Sequence, residues 1–286
     1  GRYLEMLRKD PDELKRLAKD LLIHVTSFFR DPNAFDLLAA QVVPDLIRGR
    51  APDLPLRVWV PACSTGEEAY SIAMILLEAV AAAEGSVKLQ VFASDIDEDA
   101  VSYARNGLYP ESIVADVTPT RLAHFFIKEA HGYRVKPKLR EAVVFTVQDL
   151  LSDAPFSRLD LISCRNLLIY LRPEVQQQTL SLFHFALREG GVLFLGVSET
   201  VGSLTHRFEP IIEDMPLFRR IGSSRPSEVR FPIGAGQEPR QPRAPALRAA
   251  ASPATGLGDL GQRRLLEIYA PASVLTGSAC GGGEPI

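Results

Sequence analysis

The sequence predicts an α/β fold built around a parallel sheet. Short, almost wholly apolar runs alternate along the chain with longer segments of helical periodicity. Residues 56–60 and 87–94 are β-prone runs that flank a helix-like segment at 66–83, which together predict a βαβ unit. Strands that are apolar on both faces are typical of parallel sheets covered by helices on both sides.

Two helices are predicted before the first strand. Residues 12–23 carry leucines at helical spacing with charged residues between them, which predicts an amphipathic helix. A second helix is predicted from 33 to 47, because Asp31 is suited to cap it and Pro32 suits its first turn.

The alternation of strands and helices resumes in the second half of the chain. A strand is predicted at 159–164, a helix at 173–188 and a further strand within 190–199. Residues 207–222 contain two short apolar runs, which predict an antiparallel pair at the edge of the sheet.

The segment at 118–147 has a different pattern. It predicts a short helix over 119–128, then two or three strands with a basic hairpin at 132–140, of which the last run, 142–147, can join the main sheet. The basic side chains are interpreted as a solvated charged face rather than as a binding surface.

Composition predicts a linker after this folded body. Residues 222–264 hold six prolines, six glycines and seven arginines against three acidic residues, so we expect a disordered linker. Residues 265–286 contain too short an apolar segment to fold alone. The chain has 286 residues, 46% of them hydrophobic, which suffices for one core or a core with a small companion domain.

Several classes of protein are excluded. The net charge is −3 and the positive charge is concentrated in the linker, which argues against nucleic-acid binding by the acidic body. No run approaches the roughly 18 apolar residues that span a bilayer, and the first residues do not resemble a signal peptide, so an intracellular protein without membrane insertion is expected. The three cysteines, Cys63, Cys164 and Cys280, lack metal-type spacing, which predicts free thiols and no metal site.

The loop after the first strand, at 60–71, lies where doubly wound sheets bind nucleotide-like ligands. It has neither the G-x-G-x-x-G pattern nor the G-K-[ST] pattern of phosphate-binding loops. Glu67 and Glu68 would repel a phosphate at the start of the next helix, although plain helix capping explains either residue alone. A cationic or neutral ligand is therefore expected here.

The second strand ends in two acidic residues, Asp95 and Asp97. Asp97 is interpreted as the cap of the next helix, and Asp95 as an acceptor for a ribose diol. A ribose acceptor beside a loop that disfavours phosphate points to a nucleoside without phosphates, such as S-adenosylmethionine.

Six ordered blocks of this sequence resemble the CheR-type chemotaxis receptor methyltransferases. The resemblance covers about residues 1–221. The blocks are VTSFFRDPNAF (25–35), VWVPACSTGEEAYSIAM (58–74), VFASDIDEDAVSYARNGLY (91–109), VQDLL (147–151), LDLISCRNLLIYL (159–171) and GGVLFLGVSET (190–200).

This resemblance implies a class I (Rossmann-like) methyltransferase sheet with a small β-subdomain. It implies a truncated N-terminal helical domain at 1–50, a methyltransferase domain at 51–221 and a β-subdomain at about 118–147. The Pro/Gly/Arg linker at 222–264 and the segment at 265–286 resemble fused methylesterase/methyltransferase proteins, in which a PAS segment follows.

The resemblance also implies an activity. Family members transfer methyl from S-adenosylmethionine to glutamate side chains of chemotaxis receptors, which forms glutamyl methyl esters and S-adenosylhomocysteine. We therefore expect a cytoplasmic, monomeric protein-glutamate O-methyltransferase that acts on the cytoplasmic domain of a chemoreceptor. The alternative is a signalling module of the same fold that binds the cofactor or a partner without turnover.

The site residues are carried over from matching positions of the family. His24 stands where the family has Asn, and Asp149 stands where the family has Asn near the adenine, so Asp149 retains an acceptor and loses a donor. The expected cofactor-binding residues are His24, Thr26, Arg30, Glu68, Asp95, Asp149, Leu150, Arg165 and Asn166.

Arg30 and Tyr170 are the expected catalytic residues. A glutamate is already ionised at neutral pH, so its oxygen can attack a sulfonium methyl group without a general base. Catalysis then depends on positioning and electrostatics, with Arg30 steering the substrate carboxylate and Tyr170 fixing its oxygen or packing near the methyl. A surface ion pair for Arg30 and a core role for Tyr170 are the simpler alternatives outside these blocks.

Overall fold

The structure of the chain, a computed structural model, describes residues 2–10, 12–13, 17, 25–48, 50, 54–83 and 87–223. A helix, α1 (Arg2–Lys9), lies in the first of these ranges. The helix predicted at 12–23 lies almost wholly outside the described residues, and so do nearly all of the expected linker at 222–264 and the whole segment 265–286.

A continuous helical stretch corresponds to the helix predicted at 33–47. It consists of α2 (Pro32–Leu37), a π-helical segment (Leu38–Val42) and α3 (Val43–Ile47). The cap predicted from Asp31 is wrong, because this residue has a φ of 61° and its side chain makes no capping hydrogen bond. Its carboxylate contacts a distant arginine instead, as described below.

A seven-stranded sheet forms the centre of the fold. Its strands are β1 (Leu56–Pro61), β2 (Leu89–Asp95), β6 (Val143–Val147), β7 (Leu159–Cys164), β8 (Leu187–Leu195), β9 (Phe208–Pro210) and β10 (Leu217–Arg220). They lie in the order β6-β2-β1-β7-β8-β10-β9. The first five are parallel, and β10 and β9 form an antiparallel edge.

Helices alternate with these strands as the apolar pattern predicts, except for the helix at Pro137–Glu141, which overlaps the expected hairpin at 132–140. The helices are α4 (Glu67–Ala82), α5 (Glu98–Asn106), α7 (Pro137–Glu141) and α8 (Pro173–Ala186). The predicted parallel sheet, the antiparallel edge pair and the strand at 159–164 are all confirmed. The last parallel strand ends at Leu195, so residues 196–199 form a turn rather than part of the predicted strand.

A second, three-stranded antiparallel sheet is inserted between β2 and β6. It contains β3 (Leu108–Tyr109), β4 (Phe126–Glu129) and β5 (Gly132–Val135) in the order β3-β5-β4, with α6 (Pro119–Phe125) preceding β4. This small sheet starts earlier and ends earlier than the segment expected at 118–147.

The basic hairpin expected at 132–140 is only partly a hairpin. Arg134 lies on β5, but Lys138 and Arg140 lie on helix α7. Pro137 starts that helix, because its fixed φ suits a first helical turn. The run after the helix joins the main sheet as β6, as predicted.

The core lies on both faces of the main sheet. Val58 and Val60 of β1 point into one buried cluster, whereas Trp59 between them belongs to the other. This alternation follows from the two-residue period of a strand. Within the described part of the chain, no helix has the length and apolarity needed to cross a membrane.

The strand order predicts a crevice at the carboxyl ends of the central strands. β1 lies between β2 and β7, so the chain leaves β1 in one direction across the sheet and later returns to its other side. Ligands of open α/β sheets bind outside the carboxyl ends of the strands at such a reversal. The residues that follow β1, β2 and β7 meet at these carboxyl ends.

Candidate active site

The loop from β1 to α4 is tightly folded. Ala62, Ser64 and Gly66 all have positive φ, at 53°, 48° and 94°. The hydroxyl of Tyr109, on the small sheet, donates to the Thr65 carbonyl over 2.7 Å. The small sheet therefore supports the loop that approaches the crevice.

Replacing Gly66 with alanine should lower the free energy of unfolding by about 2–4 kcal/mol, because the left-handed backbone and overpacking both oppose a side chain there. A Cβ at Gly66 would lie 2.7 Å from the Ala104 Cβ. Urea denaturation measures the loss. Gly202→Ala is the matched control, because it has a φ of 54° but no described atom within 4 Å of its Cβ. Equal losses in the two variants would show that the contact with Ala104 is unimportant.

Asp95 ends β2 with a carboxylate that two backbone amides hold in place. Its Oδ2 accepts from the Ser64 amide over 2.7 Å, and its Oδ1 accepts from the Asp97 amide over 3.0 Å. Asp97 itself caps α5 by accepting from the Asp99 amide, as predicted. A carboxylate has about four acceptor sites, so Asp95 retains capacity for a ligand diol.

Glu68 lies in the first turn of α4 and is largely buried, with its side chain 16% exposed. Its Oε1 accepts from the Ser163 hydroxyl over 2.7 Å, and its Oε2 lies 4.0 Å from Nη1 of Arg165. Burial raises the pKa of Glu68 from 4.5 to about 7, although Arg165 and Ser163 oppose this rise. The loss of hydration disfavours the charged carboxylate more than its neighbours stabilise it.

Arg165 follows β7 and has a fully buried side chain. Its guanidinium lies 4.9 Å from the ring centre of Phe35 and 4.8 Å from that of Phe194. Nη2 donates to Asp31 Oδ2 over 2.7 Å, whereas Nε and Nη1 find no hydrogen-bond partner among the described residues. Two donor groups of Arg165 are thus buried without a hydrogen-bond partner among the described residues, and one of them, Nη1, lies near Glu68.

The segment at 25–31 contributes Val25, Thr26, Ser27 and Arg30 to the lining of the crevice. Nη1 of Arg30 donates to the Val25 carbonyl over 2.8 Å, which closes this segment on itself. Phe28 and Phe29 are 2% and 7% exposed and belong to the core, so they anchor the segment and do not line the crevice.

Residues 148–151 line the same crevice. Both carboxylate oxygens of Asp149 accept bonds within its own loop, from the Leu151 amide and the Ser152 hydroxyl. Asp149 therefore stabilises a local turn. The apolar side chains of Leu150 and Leu151 line the crevice beside it.

The expected site residues that the structure describes all line one cavity of about 340 Å³. They are Thr26, Arg30, Glu68, Asp95, Asp149, Leu150, Arg165, Asn166 and Tyr170. His24 lies outside the described residues. Residues separated by more than a hundred positions in the sequence thus meet in one place.

The profile described as "CheR methyltransferase, SAM binding domain" matches residues 24–215. The chain belongs to the CheR methyltransferase family. Its seven-stranded sheet is accordingly a class I, Rossmann-like methyltransferase fold, and its cavity lies in the domain that binds S-adenosylmethionine in this family.

The chain is similar to two chemotaxis protein methyltransferases and to one longer protein. The chemotaxis protein methyltransferase of Listeria monocytogenes is 36% identical over 204 residues, which cover 70% of this chain and 74% of the relative. That of Escherichia coli is 36% identical over 219 residues, covering 73% and 72%. A 104.1 kDa protein in the hypE 3' region of Rhodobacter capsulatus is 38% identical over 273 residues, which cover 96% of this chain but only 28% of that protein.

The cavity suits the cofactor of the CheR methyltransferase family. Glu68 and Asp95 supply two carboxylates and the loop at 62–66 has no lysine, which favours a cationic nucleoside over a phosphate. The raised pKa of Glu68 reflects a buried charge that a bound cation would stabilise. Exposed or half-buried apolar side chains, Ile96, Leu150 and Leu171, provide a wall for a base.

Sequence reasoning missed two residues that shape this site. Asp31 was interpreted as a helix cap, but it holds Arg165. No role is predicted for Glu199, although it lies in one of the blocks that carry the resemblance. It is 5% exposed, and its carboxylate accepts hydrogen bonds from several backbone amides beside the cavity. The place of Glu199 within the block GGVLFLGVSET at 190–200 was the available signal.

Proposed function

We propose that this chain transfers the methyl group of S-adenosylmethionine to glutamate carboxylates in the cytoplasmic domain of a chemotaxis receptor, forming glutamyl methyl esters. The observation that carries the proposal is that Arg30 and Tyr170 line the same cavity as Glu68, Asp95 and Arg165. Membership in the CheR methyltransferase family and the names of the relatives support it.

The proposed cofactor-binding roles of the described residues rest on their contacts and on the cavity that they line, whereas that of His24 rests on the resemblance alone. Asp95 would accept from the ribose diol, and Glu68 would face the positive charge of the cofactor. Arg165, two of whose donor groups lack a hydrogen-bond partner among the described residues, and Asn166 would hold its polar end. Thr26, the 149–150 backbone and the Leu150 side chain would border the base, and His24 would add a polar contact. When bound, S-adenosylmethionine supplies an electrophilic methyl group on a positively charged sulfur.

The residues of this chain would position the substrate rather than abstract a proton. Arg30 is partly exposed at the cavity and carries a fixed positive charge, so it can pair with the incoming glutamate. Tyr170 is 58% exposed, which leaves its hydroxyl accessible to a substrate oxygen. The attacking carboxylate would already be ionised, so Arg30 and Tyr170 would hold and orient it and would not need to take up a proton.

Arg30→Ala tests this proposal. The variant should lose about 10²-fold in the rate of methyl transfer, because the substrate anion would lose its charged partner. Transfer is measured as base-labile label that passes from methyl-labelled S-adenosylmethionine to a receptor cytoplasmic fragment.

Arg48→Ala serves as the control, because Arg48 is exposed and forms only a surface ion pair with Asp45. It should retain full activity. A parent protein that binds S-adenosylmethionine but forms no ester would instead identify a module without turnover, and the proposed activity would then be wrong.

A further inference from the structure

The turn that follows β8 places a buried carboxylate beside the cavity. Glu199 is 5% exposed, and its oxygens accept from four backbone amides. Oε2 accepts from Gly196 over 2.7 Å and from Asn166 over 2.9 Å. Oε1 accepts from Leu168 over 2.7 Å and from Ile169 over 3.4 Å. One side chain therefore joins two segments that are about 30 residues apart in the sequence.

Three of these amides belong to the loop that carries Asn166 and Tyr170. Asn166 has a φ of 61°, a left-handed conformation that asparagine adopts more readily than most residues with a Cβ. Contacts with the surrounding structure fix the backbone in this conformation. The bond from the Asn166 amide to Glu199 is one such contact.

Gly196 brings the turn close enough for these bonds. A Cβ on this residue would lie 2.8 Å from Oε2 of Glu199 and 3.0 Å from the Asn166 backbone nitrogen. The Gly196 backbone, the Glu199 carboxylate and the loop at Asn166 are therefore packed too closely to admit a methyl group on residue 196. The arrangement is specific to a glycine at 196 and an acceptor-only side chain at 199.

The charge of Glu199 also reaches the cavity, because it is among the causes that raise the pKa of Glu68. The carboxylates of Glu68 and Glu199 and the guanidinium of Arg165 thus lie near the end of β7. Glu199 itself does not line the cavity. Its influence on a ligand must act through the loop that it holds.

We propose that Glu199 is a positioning residue, which fixes the loop at 166–170 so that Asn166 faces the cofactor and Tyr170 faces the substrate. This inference rests on the proposed function for the role of Tyr170. Its effect on cofactor binding does not depend on which substrate is methylated.

Glu199→Gln tests the inference with a side chain of the same shape. The amide nitrogen that replaces one oxygen would meet backbone donors rather than accept from them. We expect kcat for methyl transfer to fall about 10²-fold and the dissociation constant for S-adenosylhomocysteine to rise about tenfold, because a displacement near 1 Å has such effects. Hydrogen exchange at the amides of residues 166, 168 and 196 should accelerate.

Phe208→Leu is the control for a general loss of stability. Phe208 is buried on the edge strand β9 and does not line the cavity. Both variants are measured at temperatures where each is folded. If Glu199→Gln accelerates exchange but keeps kcat and the dissociation constant within twofold of the control, Glu199 stabilises the fold only, and the proposal is wrong.

Gly196→Ala provides a second test if Glu199→Gln fails to fold. Its methyl group would displace the Glu199 carboxylate and Asn166, so it should weaken the binding of S-adenosylhomocysteine, as Glu199→Gln is expected to do. Normal binding by this variant, with accelerated exchange at residue 166, would contradict the proposal. Because binding and exchange need no turnover, an inactive parent protein would overturn the proposed function alone.

Discussion

Asp160→Ala is expected to destabilise the protein by about 3–5 kcal/mol, because removing one partner of a buried ion pair leaves an uncompensated charge. Asp160 is 2% exposed at the start of β7. Its carboxylate lies 2.6 Å from Nη2 of Arg50 and 2.5 Å from Nε of Arg188, and it accepts from the Arg57 amide over 2.7 Å. The Arg50 side chain is only 5% exposed and otherwise donates only to the Leu46 and Pro55 carbonyls among the described residues, so its charge would remain buried without an anionic partner.

Urea denaturation of the parent protein and the variant measures this loss. The control is Asp45→Ala, which removes the same group from an ion pair with Arg48 whose side chains are 52% and 76% exposed. An exposed pair contributes about 0–1 kcal/mol, so this control should unfold almost as the parent does. A loss below about 1 kcal/mol for Asp160→Ala would contradict the interpretation of this cluster as a buried anchor.

The affinity for S-adenosylmethionine should increase by up to about tenfold per pH unit as the pH rises from 5 to 7, and level off above 7. Glu68 has a pKa of about 7 in the ligand-free protein, so below that pH it is mostly protonated. A cation beside it favours the carboxylate, so binding releases a proton, and this release costs free energy at low pH. Arg30, Arg165 and Glu199 are the other charges that act on Glu68.

Isothermal titration calorimetry at several pH values measures the effect. In Glu68→Gln the dependence on pH between 5 and 7 should disappear, because a glutamine does not titrate. If the parent and Glu68→Gln show the same dependence, the proton comes from another group.

The raised pKa of Glu68 also predicts a pH dependence of stability in the ligand-free protein. Because the folded state binds the Glu68 proton more tightly than the unfolded state does, Glu68 should lower the free energy of unfolding as pH rises from about 4.5 to 7.

The parallel sheet was predictable because its strands are buried on both faces. The run at 159–164 is apolar except for Asp160 and Ser163, and the structure makes it a strand with those bounds. The small sheet was harder to locate. Its strands have two to four residues, too few for a periodic pattern, and β3 directly follows a helix.

The residues of the candidate site were predicted through ordered sequence blocks, whereas their supports were not. Asp31 stands before a helix with a proline at its first position, so the local pattern predicts a cap. The structure pairs it with Arg165, which lies 134 residues further along the chain. A cap hydrogen bond is local, but this ion pair needs the tertiary packing that brings α2 to the sheet, where the ring of Phe35 lies 5.6 Å from that of Phe194 on β8.

The sequence by itself determined the order of strands and helices, the apolar character of each strand and the residue types at the carboxyl ends of β1, β2 and β7. These follow from local periodicity and from which residues can be buried. The tertiary structure alone decided that Arg165 lies between Phe35 and Phe194 and that Glu199 holds the loop of Asn166. Such contacts join distant segments, and they form only when the sheet brings its strand ends together and excludes water from the charges between them.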